Sequence, residues 1–361
     1  MLAFYDRHRR PLPWRKDPSP YRTLVSELML QQTGVATVVP YFERFVRRFP
    51  DLGALAAAEE DEILPLWSGL GYYARARNLH RAARAVVADH RGELPSDPLV
   101  LRGLPGLGPY TAAAIAAIAF ERPVLPVDGN VARVLARFFG VEESIDRPAA
   151  RAALGARGQS LVPARRAGDF AQAMMELGAL VCLPRAPRCT ACPLAPGCRA
   201  RATGRQEDLP VRDPKAPKVV VALACVAVLR QGRVLLERRP AGTLLGGTWT
   251  LPAAPVEGMD GAAQSRAVAS ALFSVGLLPA GPAVPLGSIR HIFTHRDVTA
   301  SVSLAPSRGR PSPQARFVEL ERPQGIALST FTRKTLALVE KKPAPGPRPQ
   351  RRARMRLPST T

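Results

Sequence analysis

Four cysteines, Cys182, Cys189, Cys192 and Cys198, fall within seventeen residues in the spacing C-x6-C-x2-C-x5-C, and a fifth, Cys225, stands apart. Residues 1–14 contain no apolar stretch of the kind that directs secretion, so the cytosol is the expected compartment. There thiols stay reduced, and four of them this close predict a metal site before they predict disulfides. Zinc and an iron–sulfur cluster both accept four cysteine ligands, and the spacing taken alone leaves both open. Cys225, in a β-rich run, reads as a small buried hydrophobe.

The cysteines close a long helical half. Residues 21–49, 61–69, 74–90, 111–119, 131–139 and 149–161 carry apolar residues at spacings of three and four, with Pro and Gly between the runs. Residues 1–205 therefore form one helical domain, and the polar, aperiodic residues 206–217 read as a linker. Beyond it the period changes to two. Residues 219–229 and 234–237 flank Gln231-Gly232 and predict a hairpin, and further strands are expected at 289–293, 298–304 and 316–320. One helix, 262–276, lies among them, so residues 218–340 form an α+β domain. Residues 341–361 are rich in Pro and Arg and read as a disordered basic tail.

Charge narrows the choice of partner. Of the net charge of +22, the tail's two Lys and five Arg account for seven, and +15 remains on the folded part. A body that basic calls for a polyanion, and nucleic acid leads the choice. No apolar run is long enough to span a bilayer, so no membrane partner is expected. A monomer is the default.

Two features supply chemistry. The stretch Leu104-Pro-Gly-Leu-Gly-Pro-Tyr-Thr111 places Gly106 and Gly108 in a tight turn before an Ala-rich helix, whose free N-terminal amides suit a phosphate. Asp128, in Val127-Asp-Gly-Asn130, is a lone carboxylate in apolar surroundings; it suits either chemistry or the N-cap of the helix that follows. Glu27 lies on a helix among Leu24, Leu28 and Leu30, where desolvation raises a carboxyl pKa and preserves a proton near neutrality.

Leu12-Pro-Trp-Arg15, Ser26-Glu-Leu-Met-Leu-Gln-Gln-Thr33, Trp67-Ser-Gly-Leu-Gly-Tyr-Tyr73, the helix-joining hairpin Leu104-Pro-Gly-Leu-Gly-Pro-Tyr-Thr111, Val127-Asp-Gly-Asn130, Met175-Glu-Leu-Gly178 and the spacing of the four cysteines together resemble the MutY-type adenine DNA glycosylases of the endonuclease III superfamily. The likeness covers residues 4–200 almost without a break. It implies a mostly α helix-hairpin-helix glycosylase fold, and a 4Fe-4S cluster on Cys182, Cys189, Cys192 and Cys198. The cluster would clamp a loop whose Arg185, Arg188 and Arg199 can face DNA phosphates. A glycosylase must extrude its base, protonate the leaving group and stabilise an oxocarbenium-like sugar, work that suits two carboxylates.

By this resemblance Glu27 is the general acid, protonating adenine N7. Asp128 stabilises the cationic sugar, electrostatically or through a covalent adduct. Tyr110 stands where strand-cleaving relatives carry a lysine. A phenol forms no Schiff base, so base removal without strand cleavage is expected, with Tyr110 positioning Asp128 or the transition state. Asn130 would orient the attacking water or Asp128. Arg10, Trp14, Arg15, Leu30 and Gln172 would line the adenine pocket, Gln32 and Tyr72 would wedge into the duplex, and Gly106 and Gly108 would present amides to a phosphate.

Arg238-Arg-Pro240, Leu245-Gly-Gly-Thr-Trp-Thr-Leu-Pro252 and His291-Ile-Phe-Thr-His295 resemble the Nudix-like domain that ends these glycosylases. A Nudix hydrolase gathers several glutamates on one helix to hold Mg2+. Here no carboxylate follows Asp260 until Asp297, and Glu257 reads as a surface residue, so the domain is a reader and not a hydrolase. The resemblance implies that Phe293, Thr294 and His295 recognise 8-oxoguanine. The expected substrate is double-stranded DNA with adenine opposite 8-oxoguanine or guanine. The rivals are an endonuclease III-like glycosylase for oxidised pyrimidines, which Tyr110 opposes, and a non-catalytic lesion-binding protein, which Glu27 and Asp128 together oppose.

Overall fold

The structure, a computed structural model, describes residues 1–240, 242–258, 260–321, 323 and 325–341. The expected tail, apart from Lys341, lies outside the described residues. The chain forms two compact units. The first comprises Met1–Pro217 together with Arg239–Thr248 and Gly325–Ser329, and the second comprises the remaining residues from Lys218 onward.

The first unit is helical. Its opening helices are α1 (Leu2–His8), α2 (Pro13–Lys16), α3 (Pro20–Leu30) and α4 (Val35–Arg48). The periodic run 21–49 is thus two helices and not one. Gln31 turns extended, Gln32 takes a left-handed φ of 56°, and Gly34 starts the next helix as its N-cap. Then follow α5 (Leu52–Ala56), α6 (Glu60–Trp67), α7 (Ala74–Asp89), α8 (Pro98–Gly103) and α9 (Pro109–Phe120). Helices α10 (Gly129–Phe139), α11 (Pro148–Gln159), α12 (Ala167–Leu180) and α13 (Arg199–Ala202) complete the unit.

Two apolar cores organise these helices. Leu24, Leu28, Phe42, Phe45, Trp67, Leu79 and Ile115 belong to one, and Phe4, Val131, Leu135, Leu154, Phe170 and Leu177 to the other. The second hydrophobic centre forms where α10 and α12 pack their apolar stripes on each other, while α12 also packs on α9. Residues 206–217, read from composition as a linker, belong to this unit. Leu209 is buried, its carbonyl accepts from Arg137 Nε at 2.8 Å, and Val211 O accepts from Ile145 N at 3.1 Å.

The second unit is α+β. Strand β1 (Val219–Ala227) runs parallel to β8 (Arg296–Leu304) and antiparallel to β5 (Ala253–Pro255), and β7 (Val284–Ile292) completes a sheet of order β5-β1-β8-β7. The expected hairpin is therefore much shorter. Only β2 (Leu229–Arg230) pairs with β3 (Arg233–Arg238), across Gln231 and Gly232, whose φ values of 49° and 77° fit a tight two-residue turn. Residues 219–227 are drawn to β8, which lies far along the chain. Strands β4 (Trp249–Thr250) and β10 (Ala315–Glu319) also pair with β3, and β6 (Leu278–Pro279) pairs with β9 (Ser307–Arg308). Helix α14 (Gly261–Phe273) packs on β1 and β5, and α15 (Thr330–Glu340), for which the sequence reading provided no helix, packs on β7 and β8.

Candidate active site

A cleft of about 890 Å³ in the first unit takes its walls from both helical cores. Trp14 and Leu30 come from one side, and Val127 and Met175 from the other. Glu27, Tyr110, Asp128, Asn130, Arg10, Arg15, Gln32 and Gln172 also line it. Ten of the expected residues therefore converge on one cleft, although they span residues 10 to 172.

Glu27 occupies the last turn of α3 and is only 6% exposed. The Tyr110 hydroxyl, in the first turn of α9, donates to its Oε2 at 2.8 Å and also touches Met175 Sδ at 3.9 Å. Burial pushes the Glu27 carboxyl up to about 7, helped by the nearby charge of Asp128 and opposed by the Tyr110 bond and by Arg15. Burial and these same carboxylates push the Tyr110 phenol well above its usual range, so it stays neutral. Tyr110, expected to position Asp128 or the transition state, gives its hydrogen bond to Glu27.

Asp128 is the N-cap of α10. Its Oδ1 accepts from Val131 N at 2.6 Å, and Oδ2 accepts from Asn130 Nδ2 at 2.9 Å. Asp128 is thus a helix cap that also lines the cleft. Asn130 is held in turn: its Oδ1 accepts from Arg133 Nη2 at 2.9 Å, and Arg133 also donates to Gly178 O and Cys182 O, both at 2.8 Å. Gly178 must be glycine, because a Cβ there would lie 2.6 Å from the Asn130 Cβ. The motif residues 127–130 and 175–178 are thus two sides of one contact.

Arg10 and Arg15 both grip Glu176 at 2.9 Å, and Arg15 Nε donates to Gln172 Oε1 at 2.8 Å. Glu176 is 1% exposed and was not singled out from the sequence. An acid beside Met175 in an apolar helix signals a buried cation partner, but not which one. Trp14 packs edge-on against Phe42 in the core and also lines the cleft.

The hairpin joins α8 to α9. Gly106 has φ +79°, and a Cβ there would meet Asn78 at 2.4 Å. Gly108 is an ordinary extended N-cap with open space around it, so only Gly106 is required by geometry. Gln32 and Tyr72 are exposed, and both are left-handed at φ 56° and 49°.

Cys182, Cys189, Cys192 and Cys198 line one small cavity with Val134, Phe138, Leu177, Val181 and Leu194, and all four are free thiols. Among the described residues, no three His, Cys, Asp or Glu side chains converge as ligands of a single metal ion would. The Arg137 guanidinium donates to Cys182 Sγ at 3.3 Å, and burial with the neighbouring thiols pushes Cys189 and Cys192 up. Four cysteines at one cavity, whose lining also includes Arg137, Arg188 and Arg201, are a donor set of the kind that an iron–sulfur cluster takes. Arg185, Arg188 and Arg199 are exposed around it.

In the second unit, Phe293, Thr294 and His295 form the turn between β7 and β8, so Phe293 lies just past the strand expected to contain it. Phe293 packs on His291 and Phe331, with ring centroids 4.6 and 6.1 Å away, while Thr294 and His295 are exposed. Asp260 caps α14 through a 2.6 Å bond from Ala263 N, and Glu257 is exposed.

Residues 25–158 match the HhH-GPD superfamily of base excision DNA repair proteins, and residues 224–338 match the NUDIX domain. The chain is 36% identical to the adenine DNA glycosylase of Rattus norvegicus, across 94% of this chain and 77% of that protein. The chain belongs to the adenine DNA glycosylase family. The Homo sapiens adenine DNA glycosylase is 34% identical across 94% of the chain and 73% of its own length. Among solved structures, a thermostable thymine-DNA glycosylase superposes with a TM-score of 0.52 at 30% identity, covering 56% of this chain and 93% of that one. In this adenine DNA glycosylase family member the stretch that matches the NUDIX domain contains α14, whose residues Gly261–Phe273 carry no carboxylate.

Proposed function

We propose that the protein hydrolyses the N-glycosidic bond of adenine mispaired with 8-oxoguanine or guanine in duplex DNA, leaving an abasic site. The observation that carries this is the buried Glu27, bonded to Tyr110 at 2.8 Å in the cleft that Asp128 also lines. A carboxyl held near 7 keeps a proton to give to adenine N7, and the departing base then leaves as a neutral purine. Asp128, tied at both oxygens, supplies fixed negative charge for the oxocarbenium-like sugar without needing to reorganise. Asn130 holds Asp128 from the side. After departure, Glu27 is a carboxylate able to activate water. No lysine is among the cleft's described lining residues, so the amine that strand cleavage through a Schiff base needs is not supplied there.

Arg10, Arg15 and Gln172 shape the adenine pocket, and the Glu176 charge fixes both arginines in place. Gln32 and Tyr72 enter the duplex as the base leaves, and the amides of residues 106–108 take a phosphate. Phe293, Thr294 and His295 read 8-oxoguanine opposite, through ring stacking and polar groups at an exposed turn. A 4Fe-4S cluster on Cys182, Cys189, Cys192 and Cys198 would serve structure, tying residues 182–198 into one loop; iron and acid-labile sulfide assayed in the wild type and in Cys192→Ala test it.

The activity is tested by incubating the full chain with duplexes that carry adenine opposite each base, then cleaving abasic sites with alkali. Release opposite 8-oxoguanine and guanine, with no strand break before alkali, is expected. Release of an oxidised pyrimidine in place of adenine would reject the assignment.

A further inference from the structure

Arg75, at the second position of α7, is 7% exposed. A cation gains nothing from the N-terminus of its own helix, where the dipole is positive. Its guanidinium instead reaches two other elements. Nη1 donates to Leu28 O at 3.0 Å, to Met29 O at 2.8 Å and to Gln31 O, which are the closing carbonyls of α3. Nη2 donates to Thr33 Oγ1 at 3.2 Å and to Leu70 O and Gly71 O, both at 3.1 Å. These acceptors are carbonyls and a hydroxyl, so a buried charge is spent on holding backbone. It completes the end of α3, where orphan carbonyls and the negative dipole end favour a cation.

The two segments it joins each carry an exposed residue with left-handed backbone. Gln32 follows Gln31 directly, and Tyr72 follows Gly71 directly, with the Tyr72 ring 5.3 Å from the Arg75 guanidinium carbon. Left-handed backbone is strained for a residue with a side chain and persists only where its surroundings impose it. The loop is pinned on its other ends as well: Ser68 Oγ donates to Leu328 O at 2.7 Å, Tyr73 Oη donates to the same carbonyl at 3.0 Å, and Tyr41 Oη donates to Ser68 O at 3.0 Å.

We propose that Arg75 is a positioning residue for base extrusion, a single guanidinium that sets Gln32 and Tyr72 in register so that both enter the duplex together. This rests on the reading of Gln32 and Tyr72 as the residues that enter it. Lysine, a compact ammonium with three donors, cannot span both segments as a planar five-donor fork does.

The test compares Arg75→Lys with the wild type and with the Gln32→Ala/Tyr72→Ala chain, alone and combined. The readouts are duplex affinity, single-turnover adenine excision, and the fluorescence of a 2-aminopurine placed beside the target adenine, which rises on unstacking. Arg75→Lys is expected to slow unstacking and excision about tenfold, to change affinity less than about threefold, and to add less than about twofold to the double variant. Equal losses in both backgrounds, parallel loss of affinity, or no loss at all would overturn the proposal. Should the double variant alone unstack the base normally, the reading of Gln32 and Tyr72 falls, and the proposal with it. If Arg75→Lys does not fold, Thr33→Val, which removes one acceptor, takes its place with the same pattern at about threefold.

Discussion

The Tyr110 hydroxyl donates a 2.8 Å hydrogen bond to Glu27 Oε2 across 83 positions of sequence, so the phenol tunes the proton affinity of the Glu27 carboxyl. The bond favours the ionised carboxylate and holds Glu27 lower than burial alone would. Tyr110→Phe therefore raises the Glu27 pKa above about 7. Since the acid works protonated, excision falls as pH rises through this value, and in Tyr110→Phe that falling limb moves upward by roughly half to one unit. Single-turnover rates across the pH range check it, and a downward movement would refute the assignment of the bond.

Glu27 also couples stability to pH. Its folded pKa of about 7 lies above the ordinary 4.5, so between these values the folded chain holds a proton that the unfolded chain has released. Stability consequently declines as pH rises across that window, by an upper bound on the order of 3 kcal/mol, and the loss is complete above it. Glu27→Gln removes the dependence. Urea unfolding at about pH 5 and about pH 8 should show the wild type losing stability between them and the variant changing much less, while excision by the variant drops about 10²–10⁴-fold.

The acid and its aspartate were legible in the sequence because local patterning encodes them. Leu24 and Leu28 around Glu27 announce burial, and Asp128 three residues before Val131 announces a cap. Glu176 was not legible, because its partners Arg10 and Arg15 stand 166 and 161 residues away, and no periodicity records an ion pair at that range. Arg75 looked like one basic residue among several on α7, since what defines it is a set of backbone carbonyls. The pairing of β1 with β8 was hidden for the same reason: a strand pattern fixes which face is buried, not which distant strand lies alongside.

The two roles of Asp128 can be separated. Asparagine keeps an oxygen for Val131 N and is as good an N-cap, so Asp128→Asn should unfold within about 0.5 kcal/mol of the wild type. It loses the charge beside the sugar, and excision should fall about 10²–10³-fold. Alanine loses both, adding about 1 kcal/mol of destabilisation. Equal stability of the two variants would deny the capping role, and near-normal excision by Asp128→Asn would deny the catalytic one.

Thr294 tests the second unit by itself. It lies exposed at the β7–β8 turn beside Phe293, whose ring packs against His291 and Phe331. One hydrogen bond to a base edge contributes about 0.5–1.5 kcal/mol, which sets the expected effect at roughly two- to tenfold. If the hydroxyl contacts a group that 8-oxoguanine has and guanine lacks, Thr294→Ala lowers affinity for adenine opposite 8-oxoguanine by that factor and spares adenine opposite guanine. The ratio of the two affinities is the quantity to measure, because a general weakening of DNA binding would lower both together. An unchanged ratio would remove Thr294 from recognition and leave the discrimination to Phe293, His295 or another part of the chain.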